Sequence, residues 1–150
     1  MSDTALSEVT KNIPGIPDEH VLIYRLEAEL LKYPQVEMPL EHAFCNGVYA
    51  RTIHIPINTV LTGAVHRHES FFLLRRGIMV VSTGEDEQRQ MFPGDMSITK
   101  PGMKRAIITI TDVEITTFHA NPDNETDPEN LWNMFTIPAC QAAIELGAKS

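Results

Sequence analysis

Cysteine and glycine are scarce in this chain: 150 residues contain 2 Cys and 8 Gly. Cys45 and Cys140 stand far apart and outside any CxxC or CxxH pattern, which excludes a disulfide scaffold and predicts reduced thiols. The few glycines exclude collagen-like and low-complexity classes. Basic residues are also in the minority, 12 Lys and Arg against 20 Asp and Glu, for a net charge of -8. The electrostatic footprint that counterion-release binding needs is therefore lacking, and nucleic acid is not an expected partner. No apolar run approaches the ~20 residues of a membrane helix, and the first residues lack a basic and apolar leader pattern. The expectation is a cytoplasmic protein with no membrane partner.

With 43% hydrophobic residues, the chain has the size and apolar content of one domain around one core. Three regions follow. Residues 1–38 form an amino-terminal arm and helix, in which Asp18 is a candidate cap for a segment carrying Val21, Leu22, Tyr24, Leu26, Leu30 and Leu31 at helical spacing. Glu27, Glu29 and Lys32 are expected to face away from that stripe. Residues 39–120 change to short apolar runs every eight to twelve residues or so, separated by Gly, Pro and Asp, an all-β signature. Strands are expected near 48–56, 59–68, 71–83, 87–92, 96–99, 105–111 and 113–119. Residues 121–150 form a loop and helical tail, where Asp127 as cap, Pro128 at the first helical position and Glu129 in the first turn predict a helix over 127–135. A last helix is expected over 138–146.

Six histidines are present, and His66-Arg67-His68 is the pointed pair. Residues i and i+2 of a strand project to one face with Cα atoms ~6.7 Å apart, so two imidazoles at that spacing can reach one metal. In the strand ending at His119, alternation puts that imidazole on the face of Val113 and Ile115, and hence inward. His54 is expected to be peripheral, and His20 and His42 unrelated to the site.

The phrases Gly63-Ala64-Val65-His66-Arg67-His68, Arg76-Gly77, Phe92-Pro93-Gly94-Asp95 and Lys100-Pro101-Gly102-Met103-Lys104-Arg105 resemble the two-motif layout of cupins. In that family GxxxxxHxHxxxxExxxxxxG supplies two His and a Glu, and GxxxxxPxGxxHxxxN supplies a third His. The resemblance implies a mainly β fold, a single cupin-like jelly-roll (double-stranded β-helix) barrel over 39–120, flanked here by an amino-terminal helix and short carboxy-terminal helices. The departures are as informative. Ser70 occupies the place of the family's Glu, and Arg105 falls near that of the third His. A further similarity, through Glu41-His42-Ala43-Phe44, Thr62-Gly63-Ala64-Val65-His66 and Thr116-Thr117-Phe118-His119, is to small cupin-like proteins encoded by tailed bacteriophages, whose members lack an assigned activity. A host-cytoplasmic location would follow from that similarity.

The site expectation is a divalent transition metal held by His66, His68 and His119, completed by Glu69 or water, with Zn, Fe, Ni and Cu indistinguishable from the ligand set. Arg105, with Lys104 beside it, is suited to a carboxylate or phosphate, so a small anionic molecule is the expected partner. Whether the chain is an enzyme stays open at this point. The alternatives are a non-catalytic module sequestering a metabolite or signalling nucleotide, and a structural or assembly protein. Unpaired sheet edges further predict a homodimer.

Overall fold

The computed structural model describes residues 20–83 and 88–137. The strand content follows from the alternation of apolar and polar residues, and the turns follow from the Gly, Pro and Asp clusters between them. One sheet contains β1 (Leu40–Cys45), β2 (Gly47–Ile55), β10 (Val113–Asn121), β5 (Ser70–Arg76) and β8 (Met96–Thr99), in that spatial order. The other contains β3 (Val60–Thr62), β9 (Ala106–Thr109), β6 (Met79–Ser82) and β7 (Gln88–Met91). All of these pairings are antiparallel. Among the described residues two helices flank the sheets, α1 (Val21–Leu30) and α2 (Pro128–Phe135), and the short pair β4 (Val65–His66) and β11 (Thr136–Ile137) links α2 to the barrel.

Two expected strands are each broken in two, for local reasons. The run over 71–83 divides at Gly77, whose φ is +87° and where an added Cβ would lie 2.1 Å from the Asp112 carbonyl oxygen. That backbone state and close approach suit only glycine, and they let the chain leave the first sheet as β5 and enter the second as β6. The run over 59–68 divides at Gly63-Ala64, between β3 and β4. The first strand, β1, was not expected. It is an edge strand with all six residues exposed, so it has no buried face to leave a period-two signature.

Inward-facing side chains of the first sheet grade from polar to apolar along the barrel. Cross-strand partners run from Tyr49 and His119, through Arg51 and Thr117, to Ile53 and Ile115, and end at Ile55 and Val113. The apolar end joins Phe72 and Leu74 from β5 to Met79, Val81, Met91 and Ile107 from the second sheet, forming the main core. The polar end is left to the cavity described below.

Helix α1 buries Val21, Ile23, Tyr24 and Ala28, while Leu22 and Leu31 are exposed. The buried face is thus rotated from the expected leucine stripe. Glu27 faces the barrel rather than solvent because it meets a buried lysine there. The cap position is His20, without a side-chain cap bond, and the Asp18 cap and the 138–146 helix lie outside the described residues. Helix α2 starts as its sequence dictates: the Asp127 carboxylate accepts from the Glu129 N–H at 3.0 Å, and Pro128 follows the cap. Among the described residues no helix is long and apolar enough to cross a membrane.

Candidate functional site

Between the polar end of the barrel and helix α2 lies a cavity of about 210 Å³. Its walls come from the inward faces of β2, β5 and β10, from β3, β4 and the segment before β9, and from Trp132 and Phe135 of α2. Helix α2 is held over this opening by β11, which pairs Thr136 with His66, and by the Arg67 N–H donating to the Phe135 carbonyl at 2.8 Å. The volume is below the ~300–1,000 Å³ typical of sites for drug-sized ligands, so only a small molecule fits.

Aromatic rings form one side. His66 and His119 stack with centroids 5.8 Å apart and planes 9° from parallel, and His119 stacks on Phe135 at 4.5 Å. Tyr49 stacks on both His119 and Phe135, and its hydroxyl shares a 2.6 Å hydrogen bond with Nδ1 of His42 on the exposed edge strand. His42, expected to be unrelated, is therefore tied to a cavity wall. Burial first, and then the charges of Arg105 and Arg51, depress the His66 pKa to about 4. Burial, then His66 and Arg51, bring His119 to about 4 as well. Both rings are neutral at pH 7. The His119 Nε2 lies 2.8 Å from the Thr117 hydroxyl, whereas the buried His66 Nδ1 has no hydrogen-bond partner among the described residues. The Ser70 hydroxyl is likewise buried and unpartnered.

Two guanidinium groups face these rings. Arg105 is 9% exposed and lies over the Phe72 ring at 4.3 Å, donating to the Thr99 hydroxyl at 2.7 Å and the Ser97 hydroxyl at 3.4 Å. Burial, followed by the charge of Arg89, lowers its pKa to about 10, which leaves it cationic at pH 7. Arg51 lies 4.8 Å from the Trp132 ring centroid, and its pKa is also lowered chiefly by burial. Among the described residues no acidic side chain lines the cavity and neither arginine has a carboxylate partner.

Of the expected metal ligands, the structure brings His66 and His119 together and leaves His68 outside the cavity, exposed. The reason is local. Strand β4 ends at His66 and the chain bends at 67–68, so the i, i+2 alternation does not continue to His68. Glu69 is exposed and bonded to Lys100 at 2.7 Å. Among the described residues, no three His, Cys, Asp or Glu side chains are grouped so as to hold a metal ion. Two imidazoles beside two guanidinium cations do not suit a resident dication.

Lys104, expected to support anion binding, serves a different purpose. It is 3% exposed and outside the cavity, where Nζ donates to Glu27 of α1 and to the Gly63 carbonyl, each at 2.8 Å, and lies 4.4 Å from the Tyr24 ring centroid. The Thr62 hydroxyl adds a 2.6 Å bond to the same Glu27 oxygen. This group fastens the helix to the barrel. Sequence reasoning missed Arg51, Tyr49, Trp132 and Phe135 as cavity residues. Only the alternation of Tyr49 and Arg51 with Ile53 and Ile55 in one strand hinted at the first two.

No protein-family model matches the chain, and no curated protein does. Solved structures do resemble it. A conserved protein with a double-stranded β-helix domain from Klebsiella pneumoniae is 16% identical with a TM-score of 0.51, over 62% of this chain and 85% of that one. A cupin superfamily protein from Desulfitobacterium hafniense is 13% identical with a TM-score of 0.48, over 62% and 85%. The Schizosaccharomyces pombe Cnp3 cupin domain is 16% identical with a TM-score of 0.49, over 69% and 71%. The likeness to the Klebsiella pneumoniae structure shows a double-stranded β-helix fold. At these identities the likeness defines the architecture and leaves the chemistry to the residues.

Proposed function

We propose that the chain binds a small organic anion, of the carboxylate or phosphate class, inside the barrel. One observation carries this reading: two arginines line a cavity to which the described residues bring no acidic side chain. A buried charge is tolerated when an opposite charge or a full set of hydrogen bonds compensates it. Hydroxyls and aromatic faces supply only part of that compensation for Arg105 and Arg51. An anion would supply the rest through charge-assisted bonds, which guanidinium groups make in pairs.

Binding without further chemistry, as in a module that sequesters a metabolite, meets every one of these features. Calorimetric titration with small carboxylates and phosphate monoesters, against neutral molecules of the same shape, tests the reading. Saturable binding of the anions, weakened at least tenfold by Arg105→Met, is expected. Equal affinity for the neutral analogues would reject it.

A further inference from the structure

Resting on that reading, we propose that the bound molecule is a two-ended dianion, a short apolar spacer carrying one anionic group held by Arg105 and another held by Arg51. The two cations are anchored apart. Arg105 lies over Phe72 of β5 and bonds to Ser97 and Thr99 of β8, whereas Arg51 projects from β2 beside Trp132 of α2. In register, Arg51 pairs with Thr117 and Thr117 with Phe72, so β10 runs between the two anchor positions. The backbones of Arg51 and of Phe72, on which Arg105 rests, are then two strand spacings apart, roughly 10 Å. The two groups thus rest on different walls of one cavity, Arg105 on Phe72 and Thr99 and Arg51 on Trp132.

The wall between the anchors is suited to the middle of such a ligand. Ile53, Ile115 and Phe72 offer apolar contact, and the neutral His66 ring lines the same cavity. Two cations without a carboxylate also call for two negative charges, and the 210 Å³ volume restricts the spacer to a few carbons. The two ends can be carboxylates, or a carboxylate and a phosphate; what they share is two separated charges.

Titration calorimetry of the full chain with succinate, glutarate and phosphoglycolate, each beside a single-charge counterpart (succinamate, glutaramate, glycolate), reads this directly. The dianions should bind at least tenfold more tightly than their counterparts, and Arg51→Gln should bring that ratio close to one while retaining single-charge binding. Phosphoglycolate exceeding both dicarboxylates would identify the phosphate-bearing source of the second charge, still within the proposal. Equal affinity for succinate and succinamate, and for glutarate and glutaramate, would overturn the two-ended ligand but leave anion binding intact. Inorganic phosphate binding as tightly as the best dianion would overturn it as well. Absence of binding by every probe, with an unchanged melting temperature, would remove both the proposal and the reading beneath it. If Arg51→Gln fails to fold, Arg51→Met, which removes the charge and keeps much of the volume, provides the same ratio test.

Discussion

Lys104 and Arg105 are sequence neighbours, both cationic and both buried, and they have opposite fates. Lys104 turns outward between barrel and helix, where Glu27 neutralises it and the Gly63 carbonyl takes a second proton donor. Arg105 turns inward over Phe72, where hydroxyls receive two of its N–H groups and no carboxylate answers its charge. A compensated buried charge belongs to the architecture. An uncompensated one in the wall of a cavity is a place prepared for something the chain does not itself provide.

Acid should break the inward half of this contrast first. The folded pKa values of His66 and His119, about 4, lie below the ordinary 6.5, so between those limits the unfolded chain binds more protons than the folded one. Stability should therefore be complete above about pH 6.5 and fall as pH drops toward 4. The loss is at most about 1.4 kcal/mol per pH unit for each ring, or about 3 kcal/mol per ring over the window. Urea unfolding across that range checks it, and a flat profile would contradict the neutral imidazole pair. A bound anion should reduce the loss, because it opposes the field of the arginines.

The outward half breaks at Glu27. Glu27→Gln leaves Lys104 buried without its carboxylate and should lower stability by about 3 kcal/mol in denaturant titration, without changing anion affinity. Adding Lys104→Met should recover most of that loss. Wild-type stability in the single variant would show that the pair is incidental.

Arg105→Met sharpens the comparison by reversing the sign. Removing an uncompensated buried charge while keeping much of its volume should leave the melting temperature unchanged or higher, as anion affinity falls at least tenfold, about 1.4 kcal/mol. A large loss of stability would place Arg105 with Lys104 as a structural cation. The smallest effect is expected at the lid: Trp132→Leu removes the ring beside Arg51 and should weaken binding by about 0.5–1 kcal/mol, with little change in unfolding free energy. Calorimetry beside thermal melts separates the two.

Much of the barrel was legible along the chain because its causes are local. Alternation in 113–119 marks β10 and turns His119 inward, Gly94 marks a turn at positive φ, and Asp127-Pro128 starts α2 at the expected residue, whereas the expected strand over 71–83 runs through the break at Gly77. The edge strand β1 was not legible, since exposure on both faces erases the pattern that reveals a strand. The site was legible in part. His66, His119 and Arg105 line the cavity, whereas His68 and Glu69 follow a bend that motif spacing does not register.

Composition and periodicity by themselves determine a single mainly β domain, its acidic surface and the inward direction of particular side chains, because those depend on neighbours a few residues away. Tertiary structure alone decides that Arg51 and Arg105, which are 54 positions apart in number, share one cavity with no acid among its described walls, and that Glu27 reaches Lys104 and not Arg105. Charge compensation is a property of which groups meet in space, and the chain brings them together only when the sheets close and the helices dock.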